Sequence, residues 1–205
     1  EQPIDSDEIM TLSLKLRTKG SSFNDYTRQQ AQVMAYLGEF VLPNELMQYA
    51  YLLRSLKHYC GDFDGKNVIE IGCETGDFLY VLSSYGADVI GITKNPMSAY
   101  VGNQAFVVVA SKNGNIQGGL AEQILSEQKA KTDAIVSHNV MLRDTLEPNQ
   151  LGEIIDKGLA ISYYQAHSIT ALFSAYPLSV FERDGVLVRQ TSYPDSAMVI
   201  ELIKQ

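Results

Sequence analysis

Apolar spacing changes character near residue 67. Before it the spacing is helical. Val33, Met34, Leu37 and Phe40 share one face of a segment running from a cap at Asn24 or Asp25 to about Val41. Pro43-Asn44 breaks that helix and caps a second one, striped by Leu46, Met47, Ala50, Leu53 and Leu56 and followed by Gly61. Further upstream Met10, Leu12, Leu14 and Leu16 alternate with polar residues, the period of a strand or of an arm laid on a surface. From residue 67 on, short apolar runs alternate with helical stretches. Strands are predicted at 67–71, 88–92, 116–120, 133–137 and 168–173, and helices at 75–84, 96–113, 121–130 and 148–165. Runs such as Val68, Ile69 and Ile71 suit parallel strands buried on both faces. Such alternation implies a parallel sheet with helices on both sides. The ending differs: 180–182, 185–191 and 197–203 read as strands without helices between them, and Ser192-Tyr193-Pro194-Asp195-Ser196 joins the last two.

Composition narrows the function classes. The chain has 205 residues, 45% apolar and 20% charged, enough for one domain with a true core. That excludes a disulfide-stapled mini-protein and a disordered chain. Sixteen basic against 24 acidic residues give a net charge of −8, with no Lys/Arg cluster, so no nucleic-acid partner is expected. No run approaches the ~20 apolar residues of a membrane span, so no membrane partner is expected either. Cys60 and Cys73 flank the strand at 67–71, beyond disulfide reach. Free thiols point to a reducing, cytoplasmic compartment. The first residue is Glu1 rather than Met, which is also compatible with a removed signal peptide.

In open parallel sheets, ligands bind beyond the carboxyl ends of the strands. The first such end is NVIEIGCETGDF, residues 67–78. Gly72 and Gly76 flank a tight turn into a helix, where glycine lets a ligand approach the backbone and the helix N-terminus offers N–H groups. Glu70 is a polar residue inside an apolar strand. The plainer alternative is a turn that needs glycine for steric reasons, with Glu70 bonded to nearby backbone. A dinucleotide fingerprint fails, because Glu74 holds the middle glycine position and the second strand ends at Thr93 rather than an acid. A phosphate loop, a hydrolase elbow and metal-ligand spacing are all missing from the sequence.

VIEIGCETGDF resembles the first motif of the class I S-adenosylmethionine-dependent methyltransferases, an acid followed by a glycine-rich turn. GADVIGITKNP is similar to that superfamily's second-strand motif, DAIVSHNVM to its fourth-strand motif, and GVLVRQTSYPDSAMVIELIK to its closing hairpin. The resemblance covers about residues 44–205, in order. It implies a Rossmann-like α/β fold: a seven-stranded, mostly parallel sheet with helices on both faces, a C-terminal antiparallel β-hairpin and a helical N-terminal extension. Residues 1–43 would form that extension, an arm plus a helix able to cap the substrate, and 44–205 the methyltransferase-like domain.

The implied cofactor is S-adenosylmethionine. Gly72, Cys73 and Gly76 match the loop under its methionine part, and Glu70 the motif's acid. Glu74 departs from the middle glycine; its carboxylate would pair with the cofactor's cationic groups or obstruct the site. Thr93 stands where an acid usually bonds the ribose hydroxyls, although the cyclopropane-fatty-acid synthase branch carries threonine there. Leu120 stands where an acid commonly reads the adenine amino group, with Ala121 beside it and Glu122 able to substitute.

Ser137 and His138 leave the fourth strand beside the expected methyl position. His138 suits a general base, with Asn139 orienting an acceptor. The alternative for His138 is a bond to a nearby carbonyl that shapes the loop. Weaker candidates are Asp144 and Glu147, which would line the mouth or be solvated loop charges, His167 at the far end of the fifth strand, and Tyr26 in the N-terminal extension, which in similar enzymes folds over the substrate. Tyr163 and Tyr164 read as helical core residues, and His58 as surface. The implied activity is methyl transfer to a small molecule or a protein. The alternative is a methyltransferase-like domain that has lost catalysis and serves as an interaction module. A homodimer through the arm at Met10–Leu16 is a further expectation.

Overall fold

A computed structural model describes residues 41–110, 114–129, 132–138, 147–171, 178–194 and 197–205, without the side chains of 43, 110 and 162–171. The expected arm at 10–16, the helix from 24 to 40, Tyr26, Asn139 and Asp144 lie outside the described residues.

Helix α1 spans Pro43–Cys60. Proline at its first turn needs no N–H partner, and Glu45 reaches back to the Leu42 N–H at 3.2 Å. Strands and helices then alternate: β1 (Asn67–Ile71), α2 (Asp77–Ser84), β2 (Asp88–Thr93), α3 (Pro96–Ala110), β3 (Ile116–Gly118), α4 (Ala121–Glu127), β4 (Thr132–His138), α5 (Pro148–Ile161) and β5 (Ser162–Ala171). A 3-10 helix at Leu178–Val180 leads to β6 (Val186–Ser192) and β7 (Met198–Lys204).

The strand order is β3-β2-β1-β4-β5-β7-β6. Pairing is parallel from β3 through β5 and antiparallel at β5–β7 and β6–β7. The parallel sheet is the one the alternation implied, and the Rossmann-like arrangement with a closing antiparallel hairpin is the one the resemblance implied. Chain direction across the sheet reverses between β1 and β4, which makes the ends of those strands the switch point.

Side-chain alternation sorts the strands onto two cores. Val68, Ala134, Val136 and Val199 join α1, α2 and α3 on one face; Ile69, Ile71, Ile135, Ile200 and Leu202 join α4 and α5 on the other. Glu70, His138 and Glu201 have the parity of the first set, so all three point toward the α1–α3 side. Two polar devices tie the helices there to the sheet. Asn103 of α3 donates to the Ile116 carbonyl and accepts from its N–H, both at 2.9 Å, so α3 is stapled to edge strand β3. Ser55 of α1 donates to buried Glu201 at 2.7 Å, and Arg189 donates to the Tyr59 hydroxyl at 3.2 Å. Burial, and then the charge of Glu201, push the Tyr59 hydroxyl up to about 12.

Strand β3 ends at Gly118 rather than 120 and α4 at Glu127 rather than 130, and three further differences from the sequence reading have a clear physical reason. The helix expected at 148–165 ends at Ile161, and Tyr163 and Tyr164 belong to β5 rather than to a helix. Extended backbone suits adjacent tyrosines, and the ladder to β4 begins at Thr132–Ser162. Residues 180–182 are not a strand; the Phe181 N–H closes a turn on the Leu178 carbonyl, and the Phe181 side chain is buried. Helix α2 starts at Asp77 rather than 75, because Glu74 at φ 48° and Gly76 at φ 93° are left-handed.

Candidate functional site

Two of the loops at the switch point and the strand end beside them carry most of the expected site. The first loop joins β1 to α2. The Gly72 and Cys73 N–H groups both donate to the Ile92 carbonyl, at 2.7 and 3.0 Å, so the turn folds back over the end of β2. Gly76 then donates to the Cys73 carbonyl at 2.8 Å, and buried Tyr80 donates to the Thr75 carbonyl at 3.0 Å. Gly72 (φ 75°) and Gly76 require the left-handed region that glycine adopts without strain. A Cβ on Gly102 of α3 would lie 2.6 Å from the Thr75 carbonyl oxygen, so the helix also presses on this turn.

Glu70 sits beneath it. It is 3% exposed, and its Oε2 is buried without a hydrogen-bond partner. Burial, helped by the Asp77 charge, pushes its carboxyl up to about 8. A carboxyl so placed holds its proton at neutral pH. Cys73 contributes backbone rather than a reactive thiol: its side chain is buried, its Sγ packs where a Gly91 Cβ would be, and burial with Glu70 and Glu74 nearby pushes the thiol far up. Glu74 is exposed, and its Oε2 accepts from Ser98 Oγ in the first turn of α3 at 3.3 Å. Its carboxylate therefore has a partner of its own, beside a helix N-terminus that favours negative charge.

The second loop follows β2. Thr93 is buried, and its hydroxyl accepts from the Asn95 N–H at 3.3 Å. Asn95 in turn caps α3, its Oδ1 accepting from Met97 at 2.9 Å and Ser98 at 3.4 Å. The Gly119 N–H donates to the Thr93 carbonyl at 2.8 Å, which brings Leu120 and Ala121 alongside. Leu120 is 37% exposed at the start of α4. Glu122 accepts from Gln150 at 3.3 Å through one oxygen, while its Oε2 is buried without a partner.

At the end of β4, Ser137 is buried and donates to the Ile71 carbonyl at 2.9 Å, tying β4 to β1 where the turn begins. His138 Nε2 faces Gln48 Oε1 of α1 at 2.5 Å, so this nitrogen is the donor. The imidazole meets the Tyr49 ring edge-on at 5.0 Å. Glu70, Gly72, Cys73, Glu74, Gly76, Thr93 and Ser137 thus gather at the ends of β1, β2 and β4, with Leu120 and Ala121 reached through Thr93. His138 ends β4 and is held against α1 by Gln48 and Tyr49. His58 is exposed on α1, and Glu147 is exposed ahead of α5. Among the described residues no group of three or more His, Cys, Asp and Glu side chains is placed to hold a metal ion, and no helix is long and apolar enough to cross a membrane.

Sequence reasoning missed Gln48, Ser98 and Asn95. Asn95 was findable, since Asn before Pro is a cap followed by the favoured first helical residue. Gln48 and Ser98 carry no local signal; they matter only through side chains 90 and 24 residues away.

No protein-family model matches the chain, and no curated protein matches it. Solved structures do. Magnesium protoporphyrin IX methyltransferase from Synechocystis PCC 6803, with bound S-adenosylmethionine, aligns over 100% of both chains with a TM-score of 0.59 and 13% identity. The N-methyltransferase NodS from Bradyrhizobium japonicum WM9 aligns over 80% of this chain and 98% of its own, with a TM-score of 0.63 and 15% identity. A precorrin-6y C5,15-methyltransferase from Geobacter metallireducens GS-15 aligns over 82% and 91%, with a TM-score of 0.61 and 13% identity. The chain has the fold of the class I S-adenosylmethionine-dependent methyltransferases.

Proposed function

We propose that the chain is an S-adenosylmethionine-dependent methyltransferase whose acceptor is a small molecule or a protein. One observation carries the reading: a fully buried Glu70 with an unpartnered oxygen lies under a turn held open in the left-handed region by Gly72 and Gly76. A buried polar atom without a partner costs free energy that a ligand's donor recovers. Glu74 would be the obstacle to a cofactor here, and its bond to Ser98 supports a carboxylate held at α3.

S-adenosylmethionine, when bound, supplies a methyl carbon on a sulfonium sulfur, open to in-line displacement. The chain's own task is alignment and exclusion of water. In this reading Glu70, Gly72, Cys73, Glu74 and Gly76 hold the amino-acid part of the cofactor. Thr93, Leu120 and Ala121 border its nucleoside, and Ser137 keeps β4 in register with the turn. Thr93 already shares its hydroxyl with Asn95, so ribose recognition rests on a weaker group than the usual carboxylate. His138 is the proposed base or orienting group for the acceptor, and Gln48 is a positioning residue that fixes the ring's tautomer and direction.

The test is calorimetric titration of the full chain with S-adenosylmethionine and S-adenosylhomocysteine. Micromolar binding is expected, weakened at least tenfold by Gly72→Val. That variant strains the turn, so Glu74→Ala is the companion: the side chain is exposed, and its removal should alter affinity several-fold while leaving the far-ultraviolet spectrum unchanged. No binding up to millimolar ligand, or binding indifferent to both substitutions, would overturn the proposal.

A further inference from the structure

Buried Glu70 has surroundings that offer a carboxylate no compensation. In the sheet it lies between Gly91 of β2 and Val136 of β4, and neither carries a polar side chain. No donor reaches its Oε2. The titratable groups around it are Asp77 in the first turn of α2, the Cys73 thiol and Glu74 on the turn, and His138, two positions beyond Val136 on the same face of β4. From α1, Tyr49 packs on Phe78 of α2 and on His138, while α3 carries no charged residue. The sequence has no lysine or arginine between Lys66 and Lys94. The charged neighbours of Glu70 on the turn and on α2 are thus carboxylates. A desolvated carboxyl beside other carboxylates keeps its proton, in line with its displacement to about 8.

The same surroundings define the ligand group that completes the site. A protonated carboxyl donates to an anion or a carbonyl. An ionised one accepts from a cation, and that charge-assisted bond is the stronger of the two. It also pairs the buried charge, the condition under which a buried carboxylate is stable. Glu70, Glu74 and Asp77 make the field at this turn negative, so it draws a cation and repels an anion. The cofactor of the proposed function carries an ammonium on its amino-acid part, the part assigned to this turn.

Resting on that reading, we propose that Glu70 gives up its proton to solvent when the site fills, and that the carboxylate so formed holds the ligand's ammonium. The bond broken is the Glu70 O–H, and the ammonium keeps its own protons at neutral pH. Cofactor capture is then linked to pH. About one proton leaves per ligand at slightly acidic pH, and affinity rises roughly tenfold per pH unit there.

Calorimetry of the full chain with S-adenosylhomocysteine, which keeps the ammonium and has no methyl group to transfer, reads both effects. At pH 6.5, titrations in phosphate and in Bis-Tris, buffers of different ionisation enthalpy, should show release of about one proton per ligand. Affinity should rise roughly tenfold from pH 6 to pH 7. Glu70→Gln should release no proton. His138 also titrates near neutrality, so His138→Gln is the control and should release as much as the wild type. Tight binding with no proton released, or with one taken up, would overturn the inference and leave the proposed function standing, because Glu70 would then stay protonated in the complex. Release that survives Glu70→Gln, or that vanishes in His138→Gln alone, would overturn it in the same way. No binding up to millimolar ligand would overturn both. Should Glu70→Gln fail to fold, the wild type decides: an affinity that stays flat from pH 6 to pH 7 refutes the coupling.

Discussion

Glu70 makes the stability of this protein depend on pH in the direction opposite to most carboxylates. The native state keeps the Glu70 proton to about pH 8, whereas the group's ordinary value is 4.5. Between those values the native state binds more protons than the unfolded chain, so stability falls as pH rises. The cost is absent below pH 4.5, grows through the window and is complete above pH 8. A displacement of 3.5 pH units at 1.36 kcal/mol each gives a ceiling of about 5 kcal/mol. Between pH 6 and 8.5 the expected loss is about 2–3 kcal/mol, a large part of the 5–15 kcal/mol available to a domain.

Glu70→Gln isolates this contribution. The amide has the same shape and no charge, so it should abolish the pH dependence while preserving the packing under the turn. Urea denaturation of both proteins at half-unit steps from pH 6 to 9 measures the difference. Groups that titrate elsewhere cancel in the comparison. The wild type should lose stability relative to the variant as pH rises, with the steepest change below pH 8. Asp77→Asn should make that loss smaller and complete it at lower pH, because the Asp77 charge is the second cause of the displacement. Parallel curves for wild type and Glu70→Gln would refute the reasoning: Glu70 would then be an ordinary, solvated or partnered carboxylate, and the observation carrying the functional proposal would fall with it.

Three further outcomes follow from the same geometry. Gly91→Ala should cost about 1–3 kcal/mol by urea denaturation, because its Cβ would lie 2.5 Å from Cys73 Sγ and 2.6 Å from Leu79 Cδ1; an unchanged midpoint would contradict the close packing of the turn on β2. Cys60, pushed up to about 11 by burial, and the more deeply shielded Cys73 should both resist a thiol-exchange reagent at pH 8 and react fully in guanidinium; fast native labelling of either would show that its environment is wrongly described. Ser55→Ala should cost about 1–3 kcal/mol, since Glu201 would stay buried without that 2.7 Å donor, and the loss should shrink in a Glu201→Gln background; full additivity of the two changes would disprove the coupling.

The turn after β1 was legible in the sequence because its requirements are local. Gly72 and Gly76 answer to backbone angles, and Val68, Ile69 and Ile71 to burial on two faces, so a dozen consecutive residues carry the signal. The limits of β5 were less legible because its ladder to β4 outweighs a helical period that continues past Ile161 in the sequence. The departures at Glu74 and Thr93 and the candidate base His138 were visible as residue types, but their meaning depended on partners set by tertiary structure. Glu74 reads as an obstruction until Ser98 arrives from α3; Thr93 reads as a ribose ligand until Asn95 turns back onto it; His138 reads as a loop base until Gln48 arrives from α1. In each case a polar side chain near the strand ends is held by another element, and Glu70 Oε2 is the buried atom at the turn left without such a hold. That asymmetry is why the buried acid, rather than the more conspicuous histidine, is the position from which to probe this site.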